Sequence, residues 1–351
     1  MTCCVVGGGP AGVMLSVLLA RAGVKVAVLE KHRDFLRDFR GDTVHPSTLR
    51  LLDELGLGRL PGPELTAMRM RVAGETVVAA NVGRLPGRHK HIRMIPQWDF
   101  LDLLAAAEPL DLRMGTEVTG RRRTDGRVTG VTYRDSDGEG ELSADLVVAC
   151  DGRDSVVRQA AGLRPDEFPL PMDVWQVRIP APAASTGSAG GSRNCSAGTV
   201  RCSTRSGRGT TSSCWKPRWA GRRSGMWTVC CLLCLGDAAH TMSPVGGVGV
   251  TLAVQDAVAA ARILAGPLSA GRVSTQDLAK VQKRREWPTR VAQRTQLGEH
   301  EILLKPALEG TLTRVPPPLR AVQRFPLLAV VAAYLGGIGV RPEHTPAFAR
   351  R

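Results

Sequence analysis

The feature that most constrains this chain is a glycine-rich turn near its beginning, at residues 7–12. An apolar run at 3–6 precedes the turn, an apolar segment free of helix breakers follows at 13–21, and a second apolar run at 25–29 ends at Glu30. These patterns predict a strand, a helix and a second strand. A β-α-β unit with glycines at its turn and an acid at the end of its second strand is typical of dinucleotide binding. The sequence therefore predicts a dinucleotide site at this turn.

Each residue of that turn has an expected task. Gly7 permits the tight turn, Gly9 lets a pyrophosphate approach the backbone, and Gly12 lets the helix pack closely on the strand. The N–H groups and the positive dipole end of the helix attract the phosphates. Glu30 can accept hydrogen bonds from a ribose. The alternative is an ordinary glycine turn, but the two strands, the helix and the acid together favour the dinucleotide site.

Two more acids, Asp151 and Asp237, directly follow apolar runs, and a second glycine turn at 244–249 comes after Asp237. Ligands of open α/β sheets bind at the carboxyl ends of the strands, where Asp237 can bind ribityl or ribose hydroxyls. The N–H groups near Gly247 and Gly249 can stabilise negative charge on a ring oxygen. An Asp-Gly turn and a helix-capping aspartate are the structural alternatives. Three strand-end acids in one chain favour a single shared ligand site.

The remaining patterns predict further helices, short antiparallel strands and a β-meander. Helices are expected at 48–55, 98–107, 155–161, 250–264 and 276–304, and a buried apolar helix at 326–340. Antiparallel strands are expected within 66–94, a meander at 112–118, 128–134 and 141–149, and one buried strand at 229–235.

The net charge of +15 over 351 residues would ordinarily suggest nucleic acid as a partner. However, nine Arg or Lys residues and no Asp or Glu lie between Val174 and Gly236, so one segment carries most of that charge. We therefore expect no nucleic acid as a partner. No apolar run reaches the length of a transmembrane span, and nine cysteines within a chain of this kind indicate reduced thiols and a cytoplasmic location.

The segment 182–224 differs from the rest of the chain. It is rich in Ser, Gly and Arg, lacks acids, and shows no helical or strand periodicity. A disordered linker is one interpretation. A shifted reading frame in GC-rich DNA is another, because it would produce this combination of residues.

Taken together, the motifs resemble those of the FAD-dependent monooxygenases of the aromatic-hydroxylase group, the single-component flavoprotein hydroxylases. The matching stretches are 7–12 with Glu30, 151–155, and 236–240 with Pro244, Gly247 and Gly249; 40–46 and 96–98 also match. The resemblance covers about 1–180 and 229–351. Two departures are the short, compositionally unusual middle segment and Thr251, where the family usually has Asn.

The resemblance implies FAD as the cofactor and NAD(P)H as the reductant, with no separate NAD(P)H domain. Reduced flavin would react with O2, and a flavin hydroperoxide would hydroxylate an aromatic or similar small molecule. The ADP half of FAD would lie at Gly7, Gly9, Gly12 and Glu30, the flavin half near Asp237, Gly247 and Gly249, with Asp151 at the same site and Arg40 and Gln97 near the phosphates or flavin. No catalytic side chain is required, and His240 is a weak candidate for a proton shuttle.

The expected fold is α/β: a glutathione-reductase-type, FAD-binding Rossmann domain with a reduced β-sheet substrate region and a C-terminal helical segment. FAD-binding parts would occupy 1–163, with an inserted β-meander, and 229–265; the substrate region would be 164–228 and the helical segment 266–351. Alternatives are a non-catalytic or defective flavoprotein on the same scaffold, or another FAD oxidoreductase such as a reductase or halogenase. The spacing of Cys231 and Cys234 does not indicate a metal site, because both lie in an apolar run.

Overall fold

A computed structural model describes residues 2–36, 42–169, 231–243 and 245–351, together with short strands between 173 and 229. The predicted linker or shifted frame at 182–224 and the predicted site residue Arg40 lie outside the described residues, apart from those short strands.

Among the described elements, strands predominate in the first part of the chain, with helices between groups of them, and helices dominate the last part. The strands are β1 Thr2–Val6, β2 Lys25–Glu30, β3 Thr43–Val44, β4 Glu64–Leu65, β5 Ala67–Val72, β6 Glu75–Asn81, β7 Ile92–Met94, β8 Asp111–Met114, β9 Glu117–Thr124, β10 Arg127–Asp135, β11 Gly138–Ser143, β12 Leu146–Ala149, β13 Asp166–Pro169, β14 Asp173–Trp175, β15 Cys202–Ser203, β16 Cys214–Trp215, β17 Arg218–Gly221, β18 Thr228–Val229 and β19 Leu232–Cys234. The helices are α1 Pro10–Arg21, α2 Pro46–Glu54, α3 Gln97–Ala105, α4 Val156–Ala160, α5 Val248–Ser269, α6 Thr275–Glu299, α7 Lys305–Leu308, α8 Pro317–Arg324 and α9 Pro326–Gly337, with a π-helical turn at His300–Leu304.

The main sheet has the strand order β18-β19-β12-β1-β2-β8, and all neighbouring pairs except β18 with β19 are parallel. The predicted Rossmann-type α/β arrangement is confirmed. Residues 3–6 of strand β1 are all apolar and buried, as expected for a strand that is covered on both faces. Cys3 and Val5 face the core shared with the helices, while Cys4 and Val6 face a second core shared with the meander β9-β10-β11.

Helix α1 lies in the core that the sheet shares with the helices, and it packs on α5. Pro10 occupies its first turn, where a missing N–H costs nothing, and residues 11–19 are buried. Helix α5 is mostly apolar, although it contains the buried Asp256 and the exposed Arg262. By length and composition it could cross a membrane, but 72% of its most apolar stretch is buried inside the fold. A mostly apolar helix that is enclosed by protein in this way is a core helix.

Three sequence predictions need correction. The strand expected at 229–235 is a hairpin of β18 and β19, because Cys231 adopts a left-handed backbone (φ 66°) and reverses the chain. Cys231 and Cys234 therefore face the same core, rather than opposite sides of one strand. The run at 141–149 also divides: β11 completes the meander and β12 joins the parallel sheet.

The third correction concerns α9, which was expected to be buried. Its small residues Ala329, Ala333 and Gly337 form a buried stripe at a spacing of four, while Leu327 is 75% and Val331 53% exposed. The apolar composition thus overstated the burial of this helix.

A glycine substitution tests the packing of the first turn. A β-carbon at Gly12 would lie 2.0 Å from the carbonyl oxygen of Gly7, whereas one at Gly298, in α6, would meet no atom within 4 Å. We expect Gly12→Ala to lower the free energy of unfolding by about 1–3 kcal/mol, and Gly298→Ala to raise it by about 0.5–1 kcal/mol. Urea unfolding of both variants measures this difference, and a similar change in both would contradict it.

Candidate functional site

The three strand-end acids lie at one edge of the parallel sheet. Val6 of β1 is in register with Leu29 of β2 and with Ala149 of β12, and Ala149 is in register with Cys234 of β19. The carboxyl ends of four strands therefore lie side by side. Glu30 is the last residue of β2, Asp151 follows the end of β12 by two residues, and Asp237 follows the end of β19 by three.

The turn after β1 is compact because its backbone lies against neighbouring backbone atoms, with no space for a side chain between them. Gly7 has φ 99°, and a β-carbon on it would lie 2.5 Å from the carbonyl oxygen of Cys150. Gly9 is the N-cap of α1 and provides no side-chain cap, while Pro10 has no N–H. The first N–H groups of α1 are thus left for an anionic group at the end of the helix dipole.

Glu30 closes this turn from the neighbouring strand. Its side chain is buried, and Oε2 accepts a hydrogen bond from the Gly8 N–H at 2.7 Å. Oε1 accepts from the His32 N–H at 3.0 Å and lies 2.5 Å from His32 Nδ1. The carboxylate thereby fixes the position of the turn, a contact that the sequence did not predict.

Asp151 belongs to the junction between β12 and α4. The backbone N–H of Val157 donates to Oδ2 at 3.5 Å, and Oδ1 is buried without a hydrogen-bond partner. Burial raises the pKa of Asp151, although hydrogen bonds from Ser155 and nearby backbone oppose the shift. This aspartate therefore has one oxygen directed to α4 and one available to a donor.

Gly236 and Asp237 form a 3-10 turn after β19, between α1 and α5. A β-carbon on Gly236 would lie 3.2 Å from Cβ of Ala253 and 3.3 Å from Cβ of Ala11. A side chain here would be in tight contact with both helices, and the left-handed backbone of Gly236 (φ 57°) also favours glycine. The Asp237 carbonyl accepts a hydrogen bond from Thr241 Oγ1 at 3.0 Å, and its side chain is half-buried.

The second glycine turn places the N-terminus of α5 near the Gly236 turn. Gly246 and Gly247 have φ of 77° and 64°, and Gly247 is the N-cap of this 22-residue helix. No side chain caps it. Gly249 follows in the first turn, where a β-carbon would be in ordinary contact with Met242 at 3.8 Å. The N-termini of α1 and α5, neither of which has a side-chain cap, therefore both lie in this region.

Gln97 is the first residue of α3 and is half-buried. The helix contacts α1 through a buried face that contains Phe100, Leu101 and Leu104. This places Gln97 at the start of a helix that packs on the fingerprint helix.

His240 is held by a buried charge network that the sequence analysis missed. His240 Nε2 lies 2.5 Å from Asp256 Oδ2, and Arg285 Nε donates to Asp256 Oδ1 at 2.9 Å. All three side chains are buried. The Gly236 N–H also donates to Asp256, at 3.3 Å. The single acid within the mostly apolar α5 is the sequence signal that could have revealed this network.

The network extends to the end of the chain. Glu343 is fully buried and accepts hydrogen bonds from Arg284 Nε at 2.6 Å and Nη2 at 2.9 Å. Arg285 Nη1 lies 3.9 Å from the same carboxylate. Helices α5 and α6 and the C-terminal segment are thus joined by charges that neutralise one another inside the protein.

Within this network the pKa values of His240 and Asp256 shift in opposite directions. Burial alone would lower the pKa of His240, but the adjacent carboxylate of Asp256 raises it above the ordinary value. Burial would raise the pKa of Asp256, but His240 and Arg285 hold it below the ordinary value. Because His240 is buried and paired with Asp256, it is suited to a structural role more than to proton transfer with a ligand.

Among the described residues, no group of three or more His, Cys, Asp and Glu side chains is placed to hold a metal ion.

Comparison with known proteins adds the family. A model described as an FAD binding domain matches residues 1–216 and 200–295. The 6-methylpretetramide 4-monooxygenase of Streptomyces rimosus is 30% identical, over 92% of this chain and 89% of that protein. The rifampicin monooxygenase of Streptomyces venezuelae is 28% identical, over 72% of this chain and 61% of that protein.

A solved structure shares the fold. The anhydrotetracycline hydroxylase OxyS from Streptomyces rimosus aligns with a TM-score of 0.75 and 22% sequence identity. The alignment covers 96% of this chain and 76% of OxyS.

The buried network yields a prediction for Asp256→Asn. Loss of one partner from a buried charge pair should lower the free energy of unfolding by about 3–5 kcal/mol. The matched control is Asp53→Asn, whose half-exposed carboxylate pairs with His89 at 2.8 Å and should cost at most about 1 kcal/mol. Equal losses in both variants would contradict the assigned network.

Asp256→Asn should also reverse the pH dependence of the contribution that His240 makes to the free energy of unfolding. In the wild type the raised pKa of His240 means that its stabilising contribution is complete below about pH 6.5 and is lost as pH rises through the folded-state pKa. In Asp256→Asn, burial dominates and lowers that pKa, so the His240 contribution is instead lost as pH falls below about 6.5. Urea unfolding from pH 5.5 to 8.5 (approximately) measures the sign, and an unchanged slope would refute the pairing.

Proposed function

This chain belongs to the FAD-binding domain family and is an FAD-dependent aromatic monooxygenase, and we propose that it hydroxylates a ring of a compound of the methylpretetramide class. The supporting observation is the match to 6-methylpretetramide 4-monooxygenase, which extends over 92% of this chain. The FAD-binding model, which matches residues 1–216 and 200–295, spans both glycine turns and all three strand-end acids.

The geometry of the site supports one orientation of FAD. The pyrophosphate fits the uncapped N-terminus of α1, where Gly7, Gly9 and Gly12 keep the turn free of side chains. Glu30, which already holds the turn through Gly8, is the proposed partner of the adenosine ribose. This assigns the ADP half of the cofactor to the β1-α1-β2 unit.

The flavin half then extends towards α5. The half-buried carboxylate of Asp237 is the proposed partner of the ribityl hydroxyls. The dipole of α5, uncapped at Gly247 and followed by Gly249, would stabilise negative charge on a ring oxygen. Asp151, with one buried oxygen that lacks a hydrogen-bond partner, lies at the same sheet edge.

The remaining assignments are extensions of this proposal. Arg40 and Gln97 are proposed to lie near the phosphates or the flavin, and the FAD-binding parts to comprise 1–163 and 229–265 around a substrate region at 164–228, followed by the helical segment 266–351. A cytoplasmic location is proposed because the buried thiols of Cys3, Cys4 and Cys150 form no disulfide.

When bound, FAD supplies the redox chemistry: it takes electrons from NAD(P)H and activates O2 for transfer of one oxygen atom to the ring. The residues of this chain bind and orient the cofactor and stabilise developing charge through the α5 dipole. His240, enclosed with Asp256 and Arg285, holds the Gly236 turn in place.

A second candidate, a flavoprotein that binds FAD without hydroxylating a substrate, is favoured by the composition of the middle segment, which has no acid between Val174 and Gly236. The two candidates differ in whether the electrons from NAD(P)H reach a product. Hydrogen peroxide as the main product of O2 reduction would favour the second.

Substitution of Glu30 tests the ADP half of the site. Glu30→Ala should weaken FAD binding at least about tenfold, because the turn loses the carboxylate bound to Gly8. Glu75→Ala, an exposed acid in the hairpin of β5 and β6, should bind FAD as the wild type does. Flavin fluorescence titration measures both, and wild-type affinity in Glu30→Ala and Asp237→Ala would contradict the site.

Substrate class is tested by isotope incorporation. With NAD(P)H and 18O2, the purified holoenzyme should place one labelled oxygen atom in 6-methylpretetramide and should turn over 3-hydroxybenzoate far more slowly. Mass spectrometry measures the label. Preference for 3-hydroxybenzoate would contradict the proposed substrate class. If neither compound gained label and hydrogen peroxide were the main product, hydroxylation of both compounds would be contradicted.

A further inference from the structure

Several buried polar atoms close to the N-terminus of α5 have no hydrogen-bond partner. They are Oγ1 of Thr43, both ring nitrogens of His45 and Oγ1 of Thr251. His45 is 2% and Thr251 5% exposed. A buried polar group left unpaired costs about 1–3 kcal/mol. Several such groups in one region indicate a place where a ligand supplies the partners.

Thr43 and His45 face the N-cap of α5. A β-carbon on Gly247 would lie 2.6 Å from Thr43 Oγ1 and 3.4 Å from His45 Nε2. Strand β3, which contains Thr43, and the start of α2, which follows His45, therefore approach the uncapped end of α5. Thr251 lies one turn into the same helix.

His45 is not used by its own helix. It is the N-cap of α2, but its side chain makes no capping hydrogen bond. Its backbone carbonyl alone accepts from the N–H groups of Thr48 and Leu49, each at 3.0 Å. The imidazole can therefore be replaced without loss of a helix cap.

The imidazole is neutral near pH 7. Burial lowers the pKa of His45 to about 4. A neutral imidazole has one N–H donor and one acceptor nitrogen, so it can donate to an oxygen or nitrogen without adding a charge to the site.

We propose that His45, assisted by Thr43, is a cofactor-binding residue that donates a hydrogen bond to the flavin ring at the N-terminus of α5 and thereby favours the reduced flavin. This inference rests on the assignment of the flavin half to α5. Reduction by NAD(P)H places additional electron density on the ring, and a donor to the atoms that gain it stabilises the reduced form more than the oxidised form. His45 therefore raises the reduction potential of bound FAD.

The test compares His45→Phe, which removes the donor, with His45→Gln, which retains an N–H donor. The control is His89→Phe; His89 contacts Asp53 towards the opposite end of α2 at 2.8 Å. For each variant, FAD affinity is measured by titration, and the reduction potential is measured by dye equilibration at saturating FAD. Circular dichroism establishes that each variant is folded.

We expect His45→Phe to bind FAD more weakly than the wild type does. Its preference for reduced over oxidised FAD should be about tenfold lower, which corresponds to a reduction potential about 30 mV lower for a two-electron couple. His45→Gln should recover most of this potential, and His89→Phe should match the wild type. Thr43→Val should shift the potential in the same direction as His45→Phe, and it serves as the test if His45→Phe does not fold.

A wild-type potential in His45→Phe, or equal shifts in His45→Phe and His45→Gln, would overturn the inference while leaving FAD binding intact. A wild-type chain that binds no FAD would instead contradict the proposed function itself.

Discussion

The cofactor half of this molecule depends on close backbone approaches at one edge of the parallel sheet. Gly7 lies against the carbonyl of Cys150, Gly12 against the carbonyl of Gly7, and Gly236 between Ala11 and Ala253. A side chain at any of these points would meet atoms that cannot move away without displacing a strand or helix. The same absence of side chains leaves the N-termini of α1 and α5 accessible to a ligand.

The second element of stability is the burial of Asp256 within α5. Its carboxylate contacts the Gly236 turn, His240 and Arg285, and so connects the second glycine motif to α6. Buried charges are stable only when they are paired and hydrogen-bonded. The orientation of the Gly236 turn is thereby coupled to helices far from it in sequence.

Much of the fold could be predicted from the sequence, because the motifs are local. The unit from β1 to Glu30, the helices α1 to α3 and the start of α5 follow from apolar periodicity and glycine positions. The errors came from tertiary structure: Cys231 reverses the chain within an apolar run, and α9 exposes its large residues although its composition is apolar. Periodicity does not reveal either effect.

In the candidate site, too, some features could be predicted from the sequence and others could not. The glycines and strand-end acids were identifiable because each lies where a strand or helix changes direction. The contact of Glu30 with Gly8, the pairing of Asp256 with Arg285, and the approach of His45 to Gly247 join residues 22, 29 and about 200 positions apart. Such contacts depend on how the elements pack and cannot be read from local pattern.

The central claim is that one FAD molecule spans the N-termini of α1 and α5. Hydrogen–deuterium exchange of the protein with and without FAD tests it directly, because bound ligand protects the backbone N–H groups that it contacts. The account predicts slower exchange on FAD addition in peptides covering the first turns of both α1 and α5. Protection at α1 alone, with unchanged exchange at α5, would contradict it.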